Sequence, residues 1–146
     1  MSPKLLLNIG AMQDGFFEDT ALVGIVSPLP AYRFSWLINE RLDMNFVRDP
    51  ELDICMRQST GKENYFALYR FSLPFSEYRY LLYKLKCGKA TLLPEARQLD
   101  YLWLINNTTA ETDARDITRQ LRDLPDVQLA QVLDPEKMKS LQHLLI

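Results

Sequence analysis

Glu95 and Asp100, in the stretch "TLLPEARQLDYLWLI" (residues 91–105), come nearest to a catalytic pair in this chain. Two carboxylates that converge on one bond can divide the work of general acid and general base. In an extended strand an odd separation sends two side chains to opposite faces, so convergence here requires a bend. Pro94 lies beside them and makes a bend plausible. The competing reading is structural: the carboxylates accept backbone N–H groups or pair with Arg97, Arg70 or Arg79, and anchor a loop. That second reading is the expected one. Pro94, Glu95, Arg97, Asp100 and Tyr101 are therefore candidates for a structural or binding motif, and no residue is assigned a catalytic role.

Other chemistry is thin. The chain has one histidine, His143, close to its C-terminus, which reads as a solvated helix residue. Zinc sites and imidazole-based triads need a better-placed ring, so no metal ligand is assigned. The two cysteines, Cys55 and Cys87, form no CxxC. Both fall in strand patterns and read as buried, inert thiols in a reducing, cytoplasmic setting. Five glycines and the absence of GxxxxGK[ST], GxGxxG and GxSxG leave no phosphate-cradling loop or nucleophile elbow. No cofactor is expected.

The elements that position these residues follow from punctuation and period. A chain of 146 residues, 47% hydrophobic and 25% charged, suits one domain spanning 1–146, with 1–20 loosely ordered. No window reaches the roughly 20 apolar residues that span a bilayer, and the N-terminus lacks a signal-peptide pattern. "ALVGIV" (21–26) reads as a buried strand. "AYRFSWLINERLD" (31–43) reads as a helix that buries Phe34, Leu37, Ile38 and Leu42, with Tyr32 and Trp36 widening the face. Pro30 suits its first turn. "MNFVRD" reads as a short strand. "LDICMRQ" (52–58), "YFALYRFSL" (65–73) and "EYRYLLYKLKCG" (77–88) read as antiparallel strands, the last two joined by "PFS" as a hairpin.

"LDYLWLI" (99–105) has the pattern of a central strand covered on two sides, with Leu99, Tyr101, Trp103 and Ile105 on one face. Asp100 at its mouth needs a partner, and an arginine from a neighbouring strand is expected. Thr108 to Glu111 fits a capping box. Ala110, Ala114, Ile117, Leu121 and Leu124 then form one stripe of an amphipathic helix. "VQLAQVL" (127–133) alternates as a half-buried strand, and Asp134-Pro135 opens a last short helix to about Leu141. The expected class is α+β: a ferredoxin-like core of two strand-helix-strand units, with inserted antiparallel strands and a short C-terminal helix.

The run Leu93-Pro94-Glu95-Ala96-Arg97-Gln98-Leu99-Asp100-Tyr101 resembles the signature of the bacterial IPExxxVDY family. Pro94, Glu95, Asp100 and Tyr101 match, while Leu93 and Leu99 stand for isoleucine and valine. The "YRFSWLIN" helix and the "PDVQLAQVLDPEKMKS" close are also similar in layout, so the resemblance covers nearly the whole chain. It implies a small cytoplasmic bacterial protein and no activity.

Charge separates along the chain. Residues 62–97 hold seven Lys/Arg and three Glu, net +4, and the remainder is net −6. The basic part carries Tyr65, Phe66, Tyr69, Phe71, Tyr78, Tyr80 and Tyr83. Rings and cations on a ferredoxin-like sheet resemble RNA-recognition platforms. No glycine-flanked aromatic octamer is present and the whole chain is net −2, so nucleic acid is not an expected partner. Three functions remain, in order. The first is a non-enzymatic binding or assembly protein, homodimeric through a sheet face or edge strand and supported by aromatic-rich exposed strands. The second is a small-molecule regulatory module with a site between strand ends and helix N-termini. The third is an enzyme using Glu95 and Asp100.

Overall fold

A computed structural model describes residues 19–72, 79–138 and Leu144. Among the described residues, ten strands and two helices make an α+β fold dominated by antiparallel pairing. β1 (Thr20–Val26), helix α1 (Ala31–Leu42) and β2 (Val47–Arg48) come first. β3 (Ile54–Arg57), β4 (Glu63–Phe66), β5 (Leu68–Ser72), β6 (Arg79–Lys84), β7 (Lys86–Cys87) and β8 (Ala90–Thr91) follow. β9 (Tyr101–Asn106), helix α2 (Ala110–Arg122) and β10 (Leu129–Leu133) close the succession. One sheet has the order β10-β1-β9-β6-β5-β2, and β3-β4 and β7-β8 form two-stranded sheets.

The period of each element decides which side it covers. In β1 and β9, Val23, Ile25, Tyr101, Trp103 and Ile105 face one way and meet Phe34, Leu37 and Ile38 of α1. Ala110, Ala114, Ile117 and Leu121 of α2 join the same cluster, so both helices lie on one face. Leu22, Leu102 and Leu104 face the other way and pack with Phe66, Leu81, Leu85, Leu92 and Leu93. Five consecutive β9 residues, Tyr101 to Ile105, are thus buried on alternate faces. Each such side chain contributes roughly 1.5–3 kcal/mol of hydrophobic stabilisation.

Several sequence expectations change. Tyr32 and Trp36 do not widen the buried face of α1; they are 70% and 63% exposed. The helix stops at Leu42 because Asp43 takes a left-handed conformation (φ 54°) and donates its N–H to the Asn39 carbonyl. The expected strand 65–73 divides at Ala67, whose carbonyl accepts the Lys84 N–H, so β4 and β5 enter different sheets. The expected strand 77–88 divides at Leu85, which donates to the Asp100 carbonyl and accepts from Leu92. The strand expected over 52–58 shortens to β3, after a 3-10 turn at Pro50–Leu52.

Leu99 lies before β9 and packs with Leu102 and Leu104, opposite the face expected for it. It fits over Gly24, where an added Cβ would meet Leu99 Cδ1 at 2.7 Å. No capping box forms at α2. Instead Asn107 Oδ1 accepts the Thr109 N–H at 2.8 Å, and Asn107 Nδ2 donates to Asp113 at 2.9 Å. The C-terminal helix is a 3-10 turn at Pro135–Lys137, with Asp134 accepting the Glu136 N–H. Its continuation to Leu141, the "PFS" turn, Tyr78, His143 and the stretch 1–18 lie outside the described residues.

The two edges of the large sheet are β10 and β2. Asn107 donates to the Asp19 carbonyl, which fixes the phase of the β1–β9 ladder. Odd-numbered β1 residues therefore bond β9 and even-numbered ones bond β10. Backbone groups alternate along a strand, so those of Ala130 and Val132 turn to the open side.

Candidate functional site

The motif enters the site through a turn. After β8, Leu92 and Leu93 are buried and Pro94–Ala96 forms a 3-10 turn, held by Ala96 N–H to the Leu93 carbonyl at 2.9 Å. Proline at the first position suits such a turn because its missing N–H has no partner to lose. Pro94, Glu95 and Arg97 are left exposed on it. Leu99 then donates to the Ala96 carbonyl, and Asp100 N–H bonds Ile25 at 2.8 Å as the chain joins the sheet.

Asp100 is tethered through both carboxylate oxygens. Oδ1 accepts Lys86 Nζ at 2.8 Å and Oδ2 accepts the Ser27 backbone N–H at 3.0 Å. The cation is therefore a lysine from β7, in place of the expected arginine. Arg70 is held instead by Asp49 at 2.9 Å. Lys86 reaches Asp100 because Leu85, one residue earlier, donates to the Asp100 carbonyl and brings β7 beside the mouth of β9. Tyr101 stacks on Phe34 with ring centroids 4.3 Å apart and donates its hydroxyl to the Leu29 carbonyl at 2.6 Å. Burial pushes its phenol well above the usual range, and the Asp100 charge adds to the shift.

These contacts build a cleft of about 330 Å³ between the loop 27–30, Lys84, Lys86, Asp100, Tyr101 and Gln128. Ser27 fixes the loop by donating Oγ to the Asp126 carbonyl at 2.7 Å, while that oxygen accepts the Leu29 N–H. Pro30 follows at the α1 N-cap without a side-chain cap, and its carbonyl accepts from Arg33 and Phe34. Glu95 is absent from the cleft lining, so the two motif carboxylates do not share this space. Ser27, Lys84 and Lys86 were not singled out by sequence reasoning. The lysines' i, i+2 spacing in "YKLKCG" was visible, but nothing local tied it to a residue fourteen positions on.

A second cleft, also about 330 Å³, lies over the α2 N-terminus between Asp19, Thr20 and residues 107–112. Its buried polar side chain, Asn107, is spent internally: Oδ1 accepts from the Thr109 N–H and hydroxyl, and Nδ2 donates to Asp113. Among the described residues no group of three or more His, Cys, Asp or Glu could hold a metal ion. No described helix is long and apolar enough to cross a membrane.

The expected burial of both cysteines is corrected: Cys55 is exposed on β3 and Cys87 is half-buried. Most of the strand aromatics are core and cross-strand pairs, which removes the exposed aromatic strands expected to support assembly. Phe66, Tyr69 and Tyr83 are buried, and Phe71 and Tyr80 pack against Phe46. Of the described rings in 62–97 only Tyr65 stands open. The other exposed large apolar side chains among the described residues lie on α1, on β10 and at Val47 of β2. No protein-family model, curated protein or solved structure matches this chain.

Proposed function

We propose that this chain is a non-enzymatic assembly protein that pairs with a second copy of itself through β10. The observation that carries the reading is the character of that edge. β10 contains Leu129-Ala130-Gln131-Val132-Leu133, with no charge, no proline and no bulge, and Leu129 and Val132 are 39% and 45% exposed. Edge strands that stay solitary are blunted by such devices. Both faces of the central strands are already covered, so the sheet can extend its pairing only at an edge. A two-fold axis through Gln131 would set Ala130 opposite Val132 of the second copy, so one short strand supplies both halves of the interface.

The same reading takes the chain as a cytoplasmic bacterial protein of the IPExxxVDY kind with a ferredoxin-like core. Its support is the motif and the strand order. With β5 and β6 set aside as an insertion, β10-β1-β9-β2 is the antiparallel order of two interleaved strand-helix-strand units with both helices on one face. The exposed Cys55 thiol suits a reducing compartment.

Sedimentation velocity across a concentration series tests the proposal. A reversible monomer–dimer equilibrium is expected, and Val132→Lys shifts it to monomer while leaving the circular dichroism spectrum unchanged. A wild-type chain that stays monomeric at the highest concentrations overturns it, as does a Val132→Lys variant that dimerises equally well.

A further inference from the structure

We propose that the cleft beside the motif binds a small oxyanion, a carboxylate or phosphate compound of metabolite size, between Lys84 and the 27–30 loop. Two lysines and a single carboxylate line this space. Lys86 and Asp100 neutralise each other at 2.8 Å, and Asp100 is held a second time by the Ser27 N–H. Lys84 is half-buried, lines the same cleft, and has no carboxylate partner among the described residues. The cleft therefore carries one uncompensated positive charge. A partly desolvated ammonium is stabilised by an anion brought to it.

The walls fit a ligand rather than a counter-ion alone. Pro28, Leu29 and Pro30 form one rigid side, and the Tyr101 hydroxyl is already committed to the Leu29 carbonyl. Gln128 adds an amide that can orient a polar group. About 330 Å³ lies at the lower end of the volumes that enclose small organic ligands. Asp100 shows the chemistry in place: a carboxylate held by a lysine and a backbone N–H. A ligand anion would repeat it on Lys84. Asp100 also sets affinity, because its negative charge lies in the same space and opposes a second anion.

The test uses the full chain at constant ionic strength, with inorganic phosphate, succinate and sodium chloride as separate probes. Amide chemical shifts of Ser27, Lys84 and Gln128 are followed. Saturable shifts at these positions with phosphate or with succinate, but not with chloride, are expected, and the probe that saturates identifies the ligand chemistry. Lys84→Gln should weaken that binding at least ten-fold. Asp100→Asn keeps an acceptor for the Ser27 N–H but removes the charge, and should tighten it several-fold. Absence of saturation with both oxyanions, equal response to chloride, or binding unchanged in Lys84→Gln overturns the proposal. Weaker binding in Asp100→Asn overturns the assignment of Asp100 as a competing charge.

Discussion

At one edge of the six-stranded sheet β2 runs for two residues; at the other β10 runs for five. Arg48 of β2 forks onto the Asp53 carboxylate and also donates to the Leu68 carbonyl at 3.2 Å. Its guanidinium is held above its ordinary pKa chiefly by the Asp53 hydrogen bond. Asp53 in turn accepts the Leu68 N–H at 3.1 Å, and Pro50 follows directly after Asp49. Charge, proline and brevity all close that edge. β10 has one such device: Arg122 Nε donates to the Ala130 carbonyl at 2.9 Å. An edge closed from within needs no partner, whereas an edge left as plain apolar strand is open to one.

The largest test separates two neighbouring residues on β10. Gln131 turns its N–H toward β1, so Gln131→Pro removes a ladder bond and should cost the monomer about 3 kcal/mol in urea unfolding. Val132 turns its N–H outward, so Val132→Pro should leave unfolding far less affected. It would nevertheless delete two of the hydrogen bonds across a symmetric pair, worth about 2 kcal/mol, and raise the dimer Kd about 30-fold. Equal destabilisation of the monomer by both variants would remove the outward assignment of Val132.

Breaking the closed edge should cost less. Asp53→Ala leaves the half-buried Leu68 N–H without its acceptor and Arg48 without its counter-ion. The expected loss is about 2 kcal/mol, read by urea midpoint, with no change in association state. If Asp53→Ala created a new oligomer instead, β2 would be the edge that charge had been keeping apart.

This contrast also marks what the sequence could tell. β1, α1, β9, α2 and β10 were legible because each has a period and a stop, as in the Ala110–Leu121 stripe or Pro30 before α1. The breaks at Ala67 and Leu85 were not, because "YFALYRFSL" and "YLLYKLKC" keep an unbroken strand composition. Those breaks are made by non-local bonds, Lys84 to Ala67 and Leu85 to Asp100. The motif was visible as a unit, yet Asp100's partners lie 14 and 73 positions away. An exposed Trp36 on an amphipathic helix defeats hydrophobicity as a guide to burial.

Arg122 offers a finer adjustment of the open edge. Its side chain occupies an outward carbonyl that a second copy needs, so Arg122→Met should favour pairing. A carbonyl can accept twice, so the competition is worth about 0.5 kcal/mol per protomer, about 1 kcal/mol per dimer, and its loss would lower the dimer Kd about five-fold. Sedimentation equilibrium reads this directly. A weakened dimer would mean that Arg122 supports the interface rather than guarding it.

The smallest effect belongs to the β3–β4 hairpin, whose exposed side is closed by charge as β2 is. Arg57 donates to Glu63 at 2.7 Å and Tyr65 donates its hydroxyl to the other oxygen at 2.8 Å. Glu63 is held below its ordinary pKa, first by Arg57 and then by Tyr65. Because the folded value is the lower one, its support is present above the ordinary carboxylate range and fades as pH falls through the folded value. The Tyr65 phenol is pushed up to about 12 by the same contact, so its contribution holds below its ordinary value of 10.0 and is lost toward about 12. Carboxyl NMR titration should show the Glu63 midpoint rising more in Arg57→Met than in Tyr65→Phe. Added salt should narrow the difference, since both partners lie in solvent. A larger shift in Tyr65→Phe would make the phenol, not the guanidinium, the group that closes this side of the hairpin.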